Sequence, residues 1–485
     1  VTDLNNQTES LADGQRSPTR ELLVLAAPII GMTLSRMLMG FIDFVMVSQL
    51  GTLAQAAISP ATIIVFAIAC PGMGVANGVQ TFVSQADGRG EPRECGAYGW
   101  QTLYIALLGA LLAWPLAETT SVWYGWITAL AEREPGMEAL EIEYARIAVW
   151  SVPLAVVSIG LNGFFMGIQR TRVVLVAVIA SLVVNATGNY LLIFGKLGFP
   201  QMGIAGAAVA TVIGWGVRAG ILVVAMLNRE IDGRYNTRRA FGLKARKMRQ
   251  LIYEGGPTSI QWLVDIGSWV VFLAIIMPPY GTYAAAASNV GLQYMHLSFM
   301  PALGIGLALC SQVGFAIGEG KHDKAVAQTR VAMRLTGGYM GTIGLLFVVC
   351  GYPLMWLMSD DPKVINAGVL VLIGAAIFQV FDAMCITYMN ALRGAGDTRW
   401  PAVVVFVCCW VIFVGGGVAV GRVLPQAGLL GPWAMCAVYI VVLGLLLRRR
   451  WRVGPWRRIQ LFKAPADAAE AGLEGLGPSQ ATASD

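Results

Sequence analysis

The chain has 485 residues, 56% of them hydrophobic and only 13% charged, with a mean hydropathy of +0.64 and a formal net charge of +6. A soluble protein carries about 25% charged residues, so this composition excludes a soluble enzyme or a soluble basic domain for nucleic acid. It indicates a polytopic membrane protein with an all-α fold.

Residues 1–20 are polar and read as a disordered cytoplasmic tail, not as a cleaved signal peptide. The Asn6-Gln7-Thr8 sequon lies in that tail and carries no weight. Gly, Pro and charge clusters then divide the chain into twelve apolar spans. They are expected near 22–48, 54–86, 95–117, 141–169, 172–196 and 202–228, then 254–279, 283–318, 324–352, 363–392, 399–423 and 428–450. We number them helix 1 to helix 12. Helix 1 contains "LMGFIDFVMV", with Asp43 alone in an apolar run. An acid at the centre of a membrane helix costs about 2.5–3.5 kcal/mol on insertion scales, so its presence asks for a function. Helix 5 carries Asn185 and Asn189, four apart and on one face. Helix 7 carries Asp265 in "QWLVDIGSW", and helix 10 carries Asp382 in "FQVFDAMC". Helix 8 carries Asn289, Gln293 and His296, of which His296 is expected to be a satisfied packing residue. Arg36 shares a helix face with Asp43, so a structural ion pair between them is the competing explanation for that acid. The eight cysteines form no metal pattern and read as buried fillers.

Lys and Arg set the orientation. Of 34 basic residues, Arg133, Arg146, Lys196, Lys363 and Arg422 fall on one side, while "RYNTRRAFGLKARKMRQ", "GRGEPR", "GEGKHDK" and "RRRWR" fall on the other. The positive-inside rule then places both termini in the cytoplasm, with the protein in the inner (plasma) membrane. The expected layout is an N-lobe over 21–228, a basic cytoplasmic connector over 229–253, a C-lobe over 254–450 and a cytoplasmic tail over 451–485.

The two lobes repeat each other. "LGTLAQAAISP" at 50–60 matches "YGTYAAAASNV" at 280–290, and "PGMGVANGVQTFVSQADGRG" at 71–90 matches "PALGIGLALCSQVGFAIGEG" at 301–320. "GIQRTR" at 167–172 pairs with "GAGDTR" at 394–399. A duplicated six-helix unit has the same orientation in both copies, so its pseudo-twofold axis lies along the membrane normal and a ligand site is expected between the lobes. The polar positions Ser59 and Asn289 are repeat counterparts and are expected to line that cleft with Gln293. The acids are not repeated: Asp43 corresponds to Phe272 or Leu273, and Asp382 to Ala155.

Over about residues 20–450 the chain resembles the multidrug and toxic compound extrusion (MATE) antiporters, in particular the NorM-like bacterial group. The resemblance rests on "MGFIDFVM", on "QADGRGEPRE", on "GNYLLIFGKLG" with "GIAGAAVAT", and on "FDAMCITYMNALRGAGDTRWP". It implies a V-shaped pair of six-helix lobes that export small organic cations in exchange for Na⁺ or H⁺, with no cofactor, acting as a monomer. It also implies an N-lobe cation site of Asp43, Asn185, Asn189 and Thr211. Asp265 and Asp382 match a C-lobe cation site that can hold Na⁺, although such proteins often have Glu where this chain has Asp265. The residues themselves agree with that chemistry, since an intramembrane carboxylate can be neutralised by a proton, by Na⁺ or by a cationic drug. A related flippase of lipid-linked sugars would favour a basic cavity, and an integral-membrane enzyme would need a nucleophile–base set or metal ligands. Neither pattern is evident, and the intramembrane charges read as mainly acidic.

Overall fold

The computed structural model describes residues 18–128 and 136–462. Most of both polar tails, Asn6 and Arg133 lie outside the described residues. All twelve expected helices are present, because a chain in lipid must satisfy every backbone polar group internally and apolar spans of this length do so as helices. In the first half they run Pro18–Ser48, Thr52–Gly88, Pro92–Glu118, Met137–Ala148 with Ser151–Gly167, Thr171–Phe194 and Ile204–Met226. In the second they run Ala245–Tyr280, Thr282–Gly318, His322–Val349, Pro362–Gly394, Arg399–Val423 and Leu430–Val453.

Three helices depart from a plain span. Helix 4 bends by 49° between Ala148 and Ser151. Pro153 lies two residues beyond and has no N–H to continue the ladder, while the Ser151 hydroxyl donates to the Ala148 carbonyl at 2.6 Å. Helix 7 starts at Ala245, earlier than the expected 254, because the end of the basic connector is amphipathic and docks on helix 3. There Lys247 pairs with Glu94, and the Tyr98 hydroxyl donates to Gln250 Oε1 at 3.0 Å. Helices 7 and 11 each contain a π-helical segment, Phe272–Ile276 and Cys408–Gly415, a distortion that often marks functional positions.

The repeat in the sequence is a repeat in the backbone. Gly51 (φ 112°, ψ 168°) opens helix 2, and Gly281 (φ 100°, ψ 160°) opens helix 8 in the same conformation. Only glycine takes it without strain. The lobes meet by exchange of equivalent contacts. Gly304 of helix 8 packs on Ile30 of helix 1, and Gly74 of helix 2 packs on Ser259 of helix 7. Farther along, Gly88 lies against the Phe315 carbonyl and Gly318 against the Gln85 carbonyl. Each pair maps onto the other under a twofold operation.

The seam is closed at the end of the bundle that carries the connector. Gln80 Nε2 donates to the Leu307 carbonyl and to Ser311 Oγ, both at 2.8 Å. Thr81 Oγ1 donates to the Arg393 carbonyl and Gln85 Nε2 to the Gly394 carbonyl, both at 2.9 Å. Past helix 12 the chain turns at Gly454 and lays Phe462 across the seam, with its ring 6.1 Å from Phe82 and 6.3 Å from Tyr98. Toward the opposite end, among the described residues, the last hydrogen bonds between the lobes are Thr33 to the Met300 carbonyl at 3.0 Å and Ser259 to the Pro71 carbonyl at 2.9 Å. Beyond them the lobes separate, which makes the V shape.

Candidate functional site

The N-lobe site forms where helices 1, 5 and 6 approach closely. Gly188 and Gly214 leave room for Ala210 and Asn185 across the helix 5–6 contact, in keeping with the small residues that bring membrane helices together. Asn189 Nδ2 donates to Asp43 Oδ1 and also lies 3.5 Å from Asn185 Oδ1. Asn185 and Asn189 are fully buried, whereas Asp43 is half-buried. Asn185 Nδ2 and Asn189 Oδ1 have no partner, and in a dry site an unpaired amide oxygen beside a carboxylate is a vacant cation ligand. Thr211 donates to the Ala207 carbonyl at 2.9 Å, which leaves its oxygen to act as an acceptor. The group also includes Tyr144, which the sequence reading did not single out. Its hydroxyl accepts from Thr62 at 3.4 Å and reaches Thr211, with Asp43 in electrostatic range. Tyr144 sits in "EIEYARIAVW" beside the helix 4 bend, and only tertiary structure turns it toward Asp43.

The expected alternative of an Arg36–Asp43 ion pair is overturned. Asp43 accepts from Asn189, with Asn185 beside it, and forms no ion pair with Arg36. Arg36 instead lies near Cys70 of helix 2 and Arg218 of helix 6. Seven residues separate Arg36 from Asp43, about 10 Å of helix rise, which is too far for a direct bond. Arg218 adds a second arginine to Arg36 within the N-lobe spans, although Asp43, Asp265 and Asp382 still outnumber the two.

In the C-lobe, Asp265 and Asp382 lie within electrostatic reach of each other, and no basic residue acts on either. Around them stand Tyr439, Cys409 and Cys436, with Cys385 beside Asp382. The Ser268 hydroxyl donates to the Asp265 main-chain carbonyl at 2.7 Å. An aromatic cluster backs the pair: Trp269 lies 5.0 Å from Phe413, and Phe413 stacks on Tyr439 at 5.6 Å. Seven of the eight cysteines are buried and all are free, as fillers should be. Among the described residues, no group of three or more His, Cys, Asp or Glu side chains is arranged to hold a metal ion. Any Na⁺ at this pair would therefore draw on carbonyl and hydroxyl oxygens beside the two carboxylates.

Ser59, Asn289 and Gln293 are all exposed. Asn289 Nδ2 donates to the Ala285 carbonyl at 3.0 Å, and its amide oxygen is left open. Positions 289, 293, 296 and 300 form one stripe along helix 8, and the Met300 carbonyl at its foot accepts from Thr33 of the other lobe. That stripe faces the opening between the lobes. His296 belongs to it and is exposed, so it is not the satisfied packing residue that the sequence suggested. The fold thus gathers Asp43, Asn185, Asn189 and Thr211 in one lobe and Asp265 with Asp382 in the other, and sets Asn289 and Gln293 on the wall between them.

The comparisons with known proteins agree with this architecture. The MatE family model matches residues 28–191 and 266–417. A probable multidrug resistance protein NorM of Rhizobium meliloti is 31% identical over 409 residues, covering 81% of this chain and 84% of that protein. Another, of Idiomarina loihiensis, is 28% identical over 445 residues, covering 88% and 94%. A solved multidrug resistance MATE family transporter in its outward-facing conformation superposes with a TM-score of 0.80 at 18% identity, over 92% of this chain and 98% of its own. The fold, the two-lobe repeat and these matches together identify the chain as a member of the MATE family of multi-pass membrane transporters.

Proposed function

We propose that the protein exports small organic cations across the inner membrane in exchange for Na⁺ or H⁺, by alternating access and as a monomer. The observation that carries this reading is the set of three intramembrane carboxylates, Asp43, Asp265 and Asp382, none of them paired with a basic residue. Bare acids at membrane depth cost about 2.5–3.5 kcal/mol each and are retained where a cation neutralises them in turn. Inward-moving Na⁺ or H⁺ and outward-moving drug then compete for the same negative charge, and that competition is the coupling. The relatives' names, which say multidrug resistance, support the substrate class. By the positive-inside rule the closed, connector-bearing end is cytoplasmic, so the V opens outward.

The test is dye efflux in everted vesicles, driven separately by a sodium gradient and by a proton gradient. One gradient is expected to drive efflux in the wild type. Asp43→Asn is expected to lower it at least tenfold while expression and melting temperature stay near wild type. Undiminished efflux by Asp43→Asn would make that acid structural, and efflux under neither gradient would reject ion exchange.

A further inference from the structure

The N-lobe contains two arginines that the cation-exchange scheme does not use. Helices 1 and 6 are antiparallel, and Gly214 of helix 6 touches Met39 of helix 1. One turn from that contact, toward the connector end, helix 6 presents Arg218 and helix 1 presents Arg36 at the same depth. Their charges are within reach of each other. Arg218 is buried, its guanidinium lies 5.2 Å from the Trp215 ring, and its Nε has no hydrogen-bond partner. Among the described residues neither arginine forms an ion pair.

Arg36 faces open space inside the bundle. Leu34, Leu38, Phe41 and Val45 are exposed along one side of helix 1, which is the side that meets lipid. Arg36 stands on the opposite side, near Cys70 of helix 2 and Arg218 of helix 6, yet is also exposed, so the space before it lies inside the transporter and not in lipid. Arginine stays protonated in proteins. Two guanidinium groups within electrostatic reach of each other, one of them buried, therefore need a negative partner, and among the described residues no carboxylate forms an ion pair with either. The planar fork of arginine matches a carboxylate in two parallel bonds.

The twofold relation sharpens the point. The contact exchange equates Ile30 with Ser259, 229 positions apart, and the same step equates Arg36 with Asp265. At that one place the N-lobe holds an arginine where the C-lobe holds an aspartate, although Arg218 of helix 6 and Asp382 of helix 10 are not equivalent positions. We propose that Arg36 and Arg218 form a subsite for the carboxylate of an amphoteric substrate, whose cationic part is taken by the acids of the export pathway. This rests on the export reading and narrows its substrate class to molecules that carry both a cation and an organic acid.

The experiment uses the purified full chain and two dyes that differ by one ester methyl. Rhodamine 110 has a free carboxylate, and rhodamine 123 is its methyl ester. Fluorescence polarisation gives both affinities, and proteoliposomes report export. The wild type is expected to bind rhodamine 110 at least tenfold more tightly than the ester. Arg36→Gln and Arg218→Gln should each bring that ratio close to one, and Arg36→Lys should keep part of it. If Arg218→Gln does not fold, Arg36→Gln, at an exposed position, carries the comparison. A wild-type ratio of one, no binding of either dye, or a ratio that survives Arg36→Gln overturns the subsite. Export of the ester in those cases leaves the export reading standing. Binding with the expected ratio but no export of either dye overturns the export reading and, with it, the substrate assignment. Thermal stabilisation by chloride or inorganic phosphate equal to that by rhodamine 110, and lost in Arg36→Gln, assigns the arginines to an inorganic counter-ion and overturns the proposal.

Discussion

At the scale of single residues, the two lobes treat charge differently, and mutation should separate their roles. Asp265 and Asp382 act on each other across helices 7 and 10, so they are expected to behave as one unit. Asp265→Asn and Asp382→Asn should each remove ion-driven efflux, with the double mutant little worse than either single one. Losses that multiply independently in efflux assays would separate the two acids. If sodium stimulates the wild type and neither mutant, the ion at this pair is Na⁺. A structural acid makes the contrast: Asp397 is 4% exposed and bonded to Arg450 Nε at 2.7 Å. Removing one partner of a buried pair leaves the other charge uncompensated, at about 3–5 kcal/mol. Asp397→Asn should therefore lower the melting temperature far more than the same change at Asp43, Asp265 or Asp382, in a thermal unfolding assay on detergent-solubilised protein.

At the scale of helices, the number and order of the elements were legible because each span must stay apolar for about 20 residues, and punctuation by Gly, Pro and charge survives in the sequence. The candidate acids were legible too, since an isolated Asp43 or Asp382 stands out against leucine and valine. What the sequence did not reveal depends on register between helices. Arg218, eight residues before the end of helix 6, looks like a basic residue drifting in from the connector. Only the Gly214–Met39 contact sets it level with Arg36. Tyr144 was missed for the same reason, and the strap ending in Phe462 passed for tail. Helices 2 and 8 make the next prediction. Ser59→Cys and Asn289→Cys lie on the open side, so both should react with a water-soluble thiol reagent, and more slowly with substrate bound. Gly318→Leu should press on the Gln85 carbonyl and prise the closed end apart. In that background the two cysteines should label at least threefold more slowly from outside. Inert cysteines in both backgrounds would remove helices 2 and 8 from the cleft wall.

At the scale of the whole molecule, duplication supplied a scaffold and divergence supplied a polarity between its halves. The glycine contacts of the seam are exchanged between the lobes, whereas Arg36 and Asp265 are opposite charges at equivalent places. The arginine pair bears on how the cycle responds to voltage. Exchange of a monovalent cation for one H⁺ or one Na⁺ moves no net charge. An amphoteric molecule has none of its own, so its exchange for one such ion carries a full positive charge inward. With the cytoplasm negative, that step gains about 2.3 kcal/mol per 100 mV. A potassium diffusion potential imposed on proteoliposomes should then accelerate export of rhodamine 110 and leave that of its methyl ester unchanged. Equal acceleration of both would show that the arginines do not set the charge of the cargo. A single pair of basic residues in one lobe would in this way decide whether the membrane potential works for the transporter or is invisible to it.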